Sequence, residues 1–246
     1  MNTLNNKIVL VTGASRGIGA AVAKKLAAEG AKVIVNYAGN KLAAEETVQV
    51  IKDAGGDAIS LKADVSKADE VALMFDAAIA HYGKIDVLIN NAGIMLTKLL
   101  KDTTDEEFTR QFDINVRGTF NTLREAATKL ADNGTIINFS SSTTRMMLPG
   151  YSSYVATKGA VEQMTRVFAK EVGARGINVN AVLPGPTNTE LFTSGKSEEL
   201  IARLASLNAF NRIGEPEDIS GVVVFLAGDD AKWISGQTIG INGAMA

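Results

Sequence analysis

The sequence predicts an α/β fold: one doubly wound parallel sheet of about seven strands with helices on both faces. Three observations carry this. Short apolar, β-branched runs alternate with longer amphipathic stretches along the whole chain. A glycine-rich turn follows the first apolar run and opens the first helix. No linker, repeat or low-complexity tract interrupts the alternation, so residues 1–246 read as one domain.

Residues 7–12 (KIVLVT) read as the first strand. They lead into Gly13-Ala14-Ser15-Arg16-Gly17-Ile18-Gly19, then an alanine-rich helix from about 20 to 29. A strand, a glycine turn and a helix together make an anion site. Glycine lets the backbone come close to a pyrophosphate, and the helix N-terminus supplies free N–H groups and a partial positive charge. The arrangement is of Rossmann type, with the spacing Gly-x-x-x-Gly-x-Gly. Residues 31–37 are the second strand. Folds that select NAD place an acid near this strand's end to bond the ribose 2′-hydroxyl. Here Asn36-Tyr37-Ala38-Gly39-Asn40 carries no acid, and Arg16 is available for a 2′-phosphate. Both features favour NADP(H).

A polar helix over 41–54 ends at Gly55-Gly56, and residues 58–63 form a third strand running into Asp64-Val65. Ser66 is expected to cap a helix reaching about residue 82, with Asp69 at its third position. Residues 85–90 are the fourth strand, ending in Asn90-Asn91-Ala92-Gly93. One long helix is expected from about 105 to 130, with Asn115 inside it. Residues 135–140 are the fifth strand and deliver Ser141. Residues 151–172 suit a helix, 177–183 are the sixth strand, and Pro184-Gly185-Pro186 breaks the chain. Residues 187–211 are polar, with a break at Gly195 and a helical patch near 198–207; such a segment is a candidate substrate lid. A helix near 216–226 and a strand at 238–241 complete the pattern.

The chemistry is expected between Ser141 and Lys158. Tyr154 follows Ser141 by thirteen residues and Lys158 follows Tyr154 by four. Residues four apart share a helix face, so phenol and ammonium can point into one site. A lysine cation beside a tyrosine favours the phenolate and lowers the phenol's pKa. Ser141 can donate to a substrate oxygen as negative charge grows on it. Tyr37 and Lys41 repeat the four-residue spacing, but Gly39-Asn40 between them reads as a turn, and Lys24 stands where a serine would be needed.

Composition removes several function classes. The formal net charge of −2 gives no basic excess for nucleic acid or an anionic membrane. No run reaches the length of a membrane span. The absence of cysteine excludes disulfides, thiol nucleophiles and cysteine-ligated zinc. His81 is the only histidine, at an expected helix end, which argues against a His/Asp/Ser triad or a multi-histidine metal site. The start, MNTLNNKIVLVTG, has too short an apolar run for a signal-peptide core, and the expected location is cytoplasmic.

Taken together, Thr12-Gly13-x-x-x-Gly17-x-Gly19, Asp64, Asn90-Asn91-Ala92-Gly93, Asn115, Ser141, Tyr154-x-x-x-Lys158 and Pro184-Gly185 resemble the short-chain dehydrogenase/reductase family over essentially the whole chain. The resemblance implies roles. Tyr154 would be the general acid in reduction and the base in oxidation. Lys158 would lower its pKa and bond the nicotinamide ribose, and Ser141 would polarise the carbonyl, with Ser140 and Ser142 as less well spaced neighbours. Asn115 would kink its helix and hold a water in a proton relay. Ser15, Arg16 and Ile18 belong to the nucleotide turn, with Asn36 and Tyr37 beside it. Asp64 and Val65 would contact adenine, and Asn91, Ala92 and Gly93 the nicotinamide-side ribose. Pro184, Gly185, Thr187 and Thr189 would contact the nicotinamide end. A homotetramer is the expected assembly, built on the helices carrying Asn115 and Tyr154.

Within the family the chain is most similar to 3-oxoacyl-(acyl-carrier-protein) reductases and their carbonyl-reductase relatives. Arg175 falls where the former carry a carrier-contacting arginine. The segment 129–134, however, lacks the basic cluster expected for a carrier, and 186–192 departs from the usual lid pattern. The leading expectation is therefore an NADPH-dependent reductase of small-molecule ketones or aldehydes. Acyl-carrier reduction is the alternative, followed by an NAD-linked alcohol or sugar dehydrogenase and a non-catalytic nucleotide sensor.

Overall fold

The computed structural model describes residues 4–246; the first three residues of the stretch read for a signal segment lie outside the described residues. The chain alternates as expected. β1 (Ile8–Val11), α1 (Gly17–Ala28), β2 (Lys32–Tyr37), α2 (Lys41–Asp53), β3 (Asp57–Lys62) and α3 (Ala68–Tyr82) make the first half. The second half runs β4 (Val87–Asn90), α4 (Asp105–Phe112), α5 (Gly118–Lys129), β5 (Thr135–Phe139), α6 (Thr143–Met146), α7 (Ser152–Glu171) and β6 (Asn178–Pro184). It ends with α8 (Glu190–Thr193), α9 (Glu198–Ala205), α10 (Pro216–Ala227) and β7 (Thr238–Ile241). The strands form one sheet in the order β3-β2-β1-β4-β5-β6-β7, with every pairing parallel.

Parallel strands covered on both faces read as unbroken apolar runs, because alternate side chains enter two different cores. β1 does this residue by residue. Val9 and Val11 pack with Val22 and Leu26 of α1 and Val223 of α10. Ile8 and Leu10 face the other core, which also holds Phe75 of α3, Leu123 of α5 and Val179 of β6. Leu10 and Phe75 are fully buried, each contributing about 1.5–3 kcal/mol by leaving water. Truncating Leu10 to alanine would cost about 2–5 kcal/mol, since so filled a site collapses poorly.

Three local expectations are corrected. Ser66 does not cap α3. Its N–H and hydroxyl donate to Asp64 Oδ1 at 3.0 and 2.7 Å, a local turn that competes with capping. The helix begins two residues later, behind Lys67, with Asp69 at its second position. The long helix over 105–130 is interrupted: α4 passes into a π-helical turn, Asp113–Arg117, before α5. Finally, the segment after β5 forms the one-turn helix α6, which the pattern did not predict.

Other starts follow sequence signals. Pro216 opens α10 at a position where its missing N–H costs nothing. Thr104 and Glu107 form a reciprocal capping box on α4. His81 lies in the last turn of α3, exposed. Tyr37 ends β2 while Lys41 opens α2, so the repeated Tyr-x-x-x-Lys spacing spans a turn and shares no helix face.

Candidate active site

The strand order reverses between β1 and β4, and ligands of open parallel sheets sit at the carboxyl ends of the strands where this happens. The loops leaving β1 and β4 are joined there. Thr12 Oγ1 accepts from the Asn91 and Ala92 N–H groups at 3.0 and 3.1 Å. Asn91 Nδ2 returns bonds to the Thr12 and Gly13 carbonyls at 2.9 and 3.0 Å. A Cβ on Gly13 would lie 2.9 Å from Ala92 Cα, and one on Gly19 would lie 2.5 Å from the Gly13 oxygen. The two glycines therefore allow a backbone approach no other residue would permit.

The resulting cleft is lined by Gly13, Ser15, Arg16, Gly17, Ile18 and Gly19 on one side. Asn36, Asp64, Val65, Asn91, Ala92 and Gly93 line it further along. No side chain among the described residues caps the N-terminus of α1, so the cradle keeps donors for an anion. The residues present fit a dinucleotide phosphate. Asn36 is 1% exposed, and its side chain is engaged with the protein: Oδ1 accepts from the Gly13 N–H at 3.2 Å and Nδ2 donates to the Ala63 carbonyl at 3.0 Å. Tyr37 is buried among the core side chains beneath the cleft. Arg16 is exposed and pairs with Glu190 of α8 at 2.5 Å.

The cleft continues into a second space where Ser141, Tyr154 and Lys158 meet. Pro184, Gly185, Thr187 and Thr189 line the same space. β5 delivers the serine, and α7 presents tyrosine and lysine one turn apart. All three are buried. Lys158 Nζ donates to the Phe139 carbonyl at 2.8 Å and stands 5.7 Å from the Tyr154 ring centre. Burial pushes the lysine down to about 8. The phenol does not fall as its spacing from lysine predicts. Burial pushes it up to about 12, against a hydrogen bond with Ser141 that pulls it down. Removing a phenolate from water outweighs the stabilisation available from a lysine whose own charge is weakened by burial.

Tertiary structure distinguishes the three adjacent serines. Ser140 donates to Glu162 at 2.7 Å, and Ser142 donates to the Leu183 carbonyl at 2.9 Å. Ser141 Oγ accepts from Thr143 Oγ1 at 2.9 Å, which leaves its own proton for the phenol or a ligand.

Asn115 lies behind this wall, 1% exposed, within the π-helical turn. Its Oδ1 accepts from the Ile94 N–H at 2.8 Å, and its Nδ2 reaches the Ile94 carbonyl at 2.9 Å and Thr157 Oγ1 at 3.1 Å. Gly93 lies against it: a Cβ added there would stand 3.1 Å from Asn115 Oδ1 and 3.5 Å from Lys158 Nζ. Sequence reasoning missed several members of the site. Gln111, fully buried, accepts from the Leu96 N–H at 2.6 Å and donates to Ser153 at 3.0 Å. Tyr151 lines the inner cleft with its ring 6.4 Å from that of Tyr154. Its place three residues before Tyr154, at the start of the expected helix, was a usable signal; a single buried glutamine leaves none.

The chain belongs to the short-chain dehydrogenase/reductase family. Residues 13–245 match the family model described as enoyl-(acyl carrier protein) reductase. Versicolorin reductase of Emericella nidulans is 44% identical over 98% of this chain and 96% of that protein. Among solved structures, a Serratia marcescens short-chain dehydrogenase/reductase superposes with a TM-score of 0.94 at 36% identity, covering 99% of both chains. The angucycline C-6 ketoreductase LanV, solved with bound NADP, superposes at 0.94 with 37% identity, covering 99% of this chain and 96% of that one. The chain is thus an oxidoreductase of a family whose similar members include carbonyl reductases. No helix among the described residues is long and apolar enough to cross a membrane.

Proposed function

We propose that the chain is an NADP(H)-dependent reductase of small-molecule ketones or aldehydes, with Tyr154 as the general acid. The observation that carries this reading is the meeting of Ser141, Tyr154 and Lys158 on one buried wall at the inner end of a glycine-floored cleft. When bound, NADPH supplies hydride to the carbonyl carbon. Gly13, Ser15, Gly17, Ile18 and Gly19 hold its pyrophosphate, and Arg16 takes the 2′-phosphate, while Asn36 shapes the turn from beneath and Tyr37 packs in the core. Asp64 and Val65 receive the adenine, and Asn91, Ala92, Gly93 and Lys158 the inner ribose. Pro184, Gly185, Thr187 and Thr189 hold the nicotinamide, and 187–211 serve as the lid. The NADP bound to the angucycline ketoreductase supports this choice of nucleotide.

Ser141 donates to the substrate oxygen, and Tyr154 delivers the proton. A phenol held at about 12 is fully protonated at neutral pH, as an acid in the reductive direction must be. Asn115 keeps the Gly93–Ile94 backbone against Lys158 and anchors the relay behind it. The inner cleft favours an uncharged, largely apolar ketone or aldehyde. Met95, Met146, Leu148, Tyr151, Phe192 and Leu204 supply apolar wall, and Lys158 is the single formally charged residue among its described lining. The relatives named as a versicolorin reductase and an angucycline C-6 ketoreductase also support reduction of a small molecule.

A second reading, reduction of a 3-oxoacyl group on acyl carrier protein, draws on the description of the matched family model. Arg175 weighs against it. Its guanidinium bonds Asp132 at 2.8 Å, the Ala127 carbonyl at 2.8 Å and the Leu130 carbonyl, so it closes the end of α5. For assembly, a homotetramer is supported by exposed Phe108 and Phe120 on α4 and α5 and Val167 on α7. The test is titration with NADPH and NADH, then turnover on a fused-ring ketone, an aromatic aldehyde and a β-ketoacyl thioester. NADPH-dependent reduction faster on the ring ketone or the aldehyde than on the thioester is expected. A thioester preference would transfer the assignment to the second reading, and binding of neither nucleotide would overturn both.

A further inference from the structure

α7 carries a third ionisable side chain on the face that holds Tyr154 and Lys158. Glu162 lies four residues beyond Lys158 and eight beyond Tyr154, hence on the same helical stripe. It is 9% exposed and does not line the inner cleft. Its Oε1 accepts two hydroxyl bonds, from Ser140 at 2.7 Å and from Thr144 at 2.8 Å. Its Oε2 faces the Arg166 guanidinium at 4.0 Å.

Those two hydroxyls bracket Ser141. Ser140 is the last residue before it, and Thr144 stands in the first turn of α6 just after it. Each also has a backbone alternative: the Lys158 carbonyl at 3.4 Å for Ser140 and the Ser141 carbonyl at 2.9 Å for Thr144. A hydroxyl has one proton to give, and for both residues the Glu162 oxygen is the nearer acceptor. The turn between β5 and α6 is thereby fastened at both ends to the helix that carries the phenol.

We infer that Glu162 is a positioning residue that sets Ser141 against Tyr154, an inference that rests on the proposed role of Ser141 in polarising the carbonyl. Glu162 touches neither substrate nor cofactor in this arrangement. Its contribution is the distance between a donor delivered by the sheet and an acid delivered by a helix. It bridges those two elements from both sides of Ser141 with a single side chain.

The experiment compares Glu162→Ala, Glu162→Gln and Thr144→Val. Glutamine keeps an acceptor oxygen at the Oε1 position and puts its amide toward Arg166. Glu162→Ala is expected to lower kcat on the best ketone by about 10- to 100-fold, the scale of a misplacement near 1 Å, with NADPH affinity unchanged. Glu162→Gln should stay within about threefold of wild type, and Thr144→Val should fall between. The double variant Glu162→Ala/Thr144→Val should be no worse than Glu162→Ala, because both remove one connection. Wild-type kcat in Glu162→Ala, or a glutamine variant as impaired as alanine, would overturn the inference. So would a kcat loss that tracks lost NADPH affinity.

Amide hydrogen exchange gives a readout independent of turnover. In Glu162→Ala, exchange should quicken over 140–147 while α7 keeps its protection. Unchanged exchange there would overturn the inference whether or not a substrate is found. Faster exchange with no turnover by the wild type would instead leave the positioning contact standing and sink the carbonyl-reductase reading. If Glu162→Ala fails to fold, Thr144→Val and Glu162→Gln carry the same comparison.

Discussion

Lys158 donates to the Phe139 carbonyl at 2.8 Å, so the ammonium of α7 is held by the last residue of β5, the strand that also delivers Ser141. The lysine is buried, and its pKa falls to about 8 from an ordinary 10.5. Below about pH 8 both folded and unfolded chains hold the proton, and burying the cation is a constant penalty. From there up to the ordinary value the unfolded chain keeps a proton that the folded chain has released, so stability rises with pH. The melting temperature of the wild type should therefore rise relative to Lys158→Met between about pH 7.5 and 9.5. A difference that stays flat across that range would mean the lysine remains charged in its site.

Tyr154→Phe should keep NADPH affinity within about threefold while lowering turnover by about 10²–10⁴-fold, the range for loss of a general acid. Fluorescence titration and steady-state kinetics separate the two effects. Near-normal turnover would remove Tyr154 from the chemistry.

Arg16 pairs with Glu190 across the mouth of the nucleotide cleft, and both side chains are largely exposed. A 2′-phosphate on Arg16 would compete with that carboxylate. Arg16→Ala should weaken NADPH by about 10- to 100-fold, the range of a bond to a charged group, and leave NADH nearly unchanged. Glu190→Gln should shift the preference toward NADPH. Equal losses for both nucleotides in Arg16→Ala would show that Arg16 does not read the 2′-phosphate.

Asn115→Leu would strip partners from the Ile94 N–H and carbonyl and from Thr157, all drawn toward one buried amide. Leaving such groups unpaired costs about 2 kcal/mol or more. That corresponds to a melting temperature lower by about 4–8 °C for a chain of this size. Calorimetry would check it. An unshifted transition would mean the π-helical turn holds without the asparagine.

The sheet and its order of elements were legible because burial on both faces writes each strand as a continuous apolar run, and β1 obeys this at every position. The glycine turn was legible because close backbone approach excludes every side chain, as the Gly13 and Gly19 contacts demonstrate. The Tyr154–Lys158 pairing was legible from helical periodicity. Those features are local, and local geometry is what a sequence encodes most directly.

Contacts between distant segments needed the folded chain. The residues around Asn115 place it inside a helix and nothing more; that its amide meets Ile94, twenty-one residues away, needed the fold. Spacing favours Ser141 over Ser140 and Ser142, but the physical difference lies in what stands opposite each: Glu162 for Ser140, the Tyr154 phenol for Ser141 and the Leu183 carbonyl for Ser142. Spacing misleads about the phenol's pKa, because it carries proximity to a cation and says nothing of water removed. What the amino-acid order determined by itself was the succession of elements and the residues each would present. Burial and the partners of polar side chains depend on which elements lie together, and those only the tertiary structure decided.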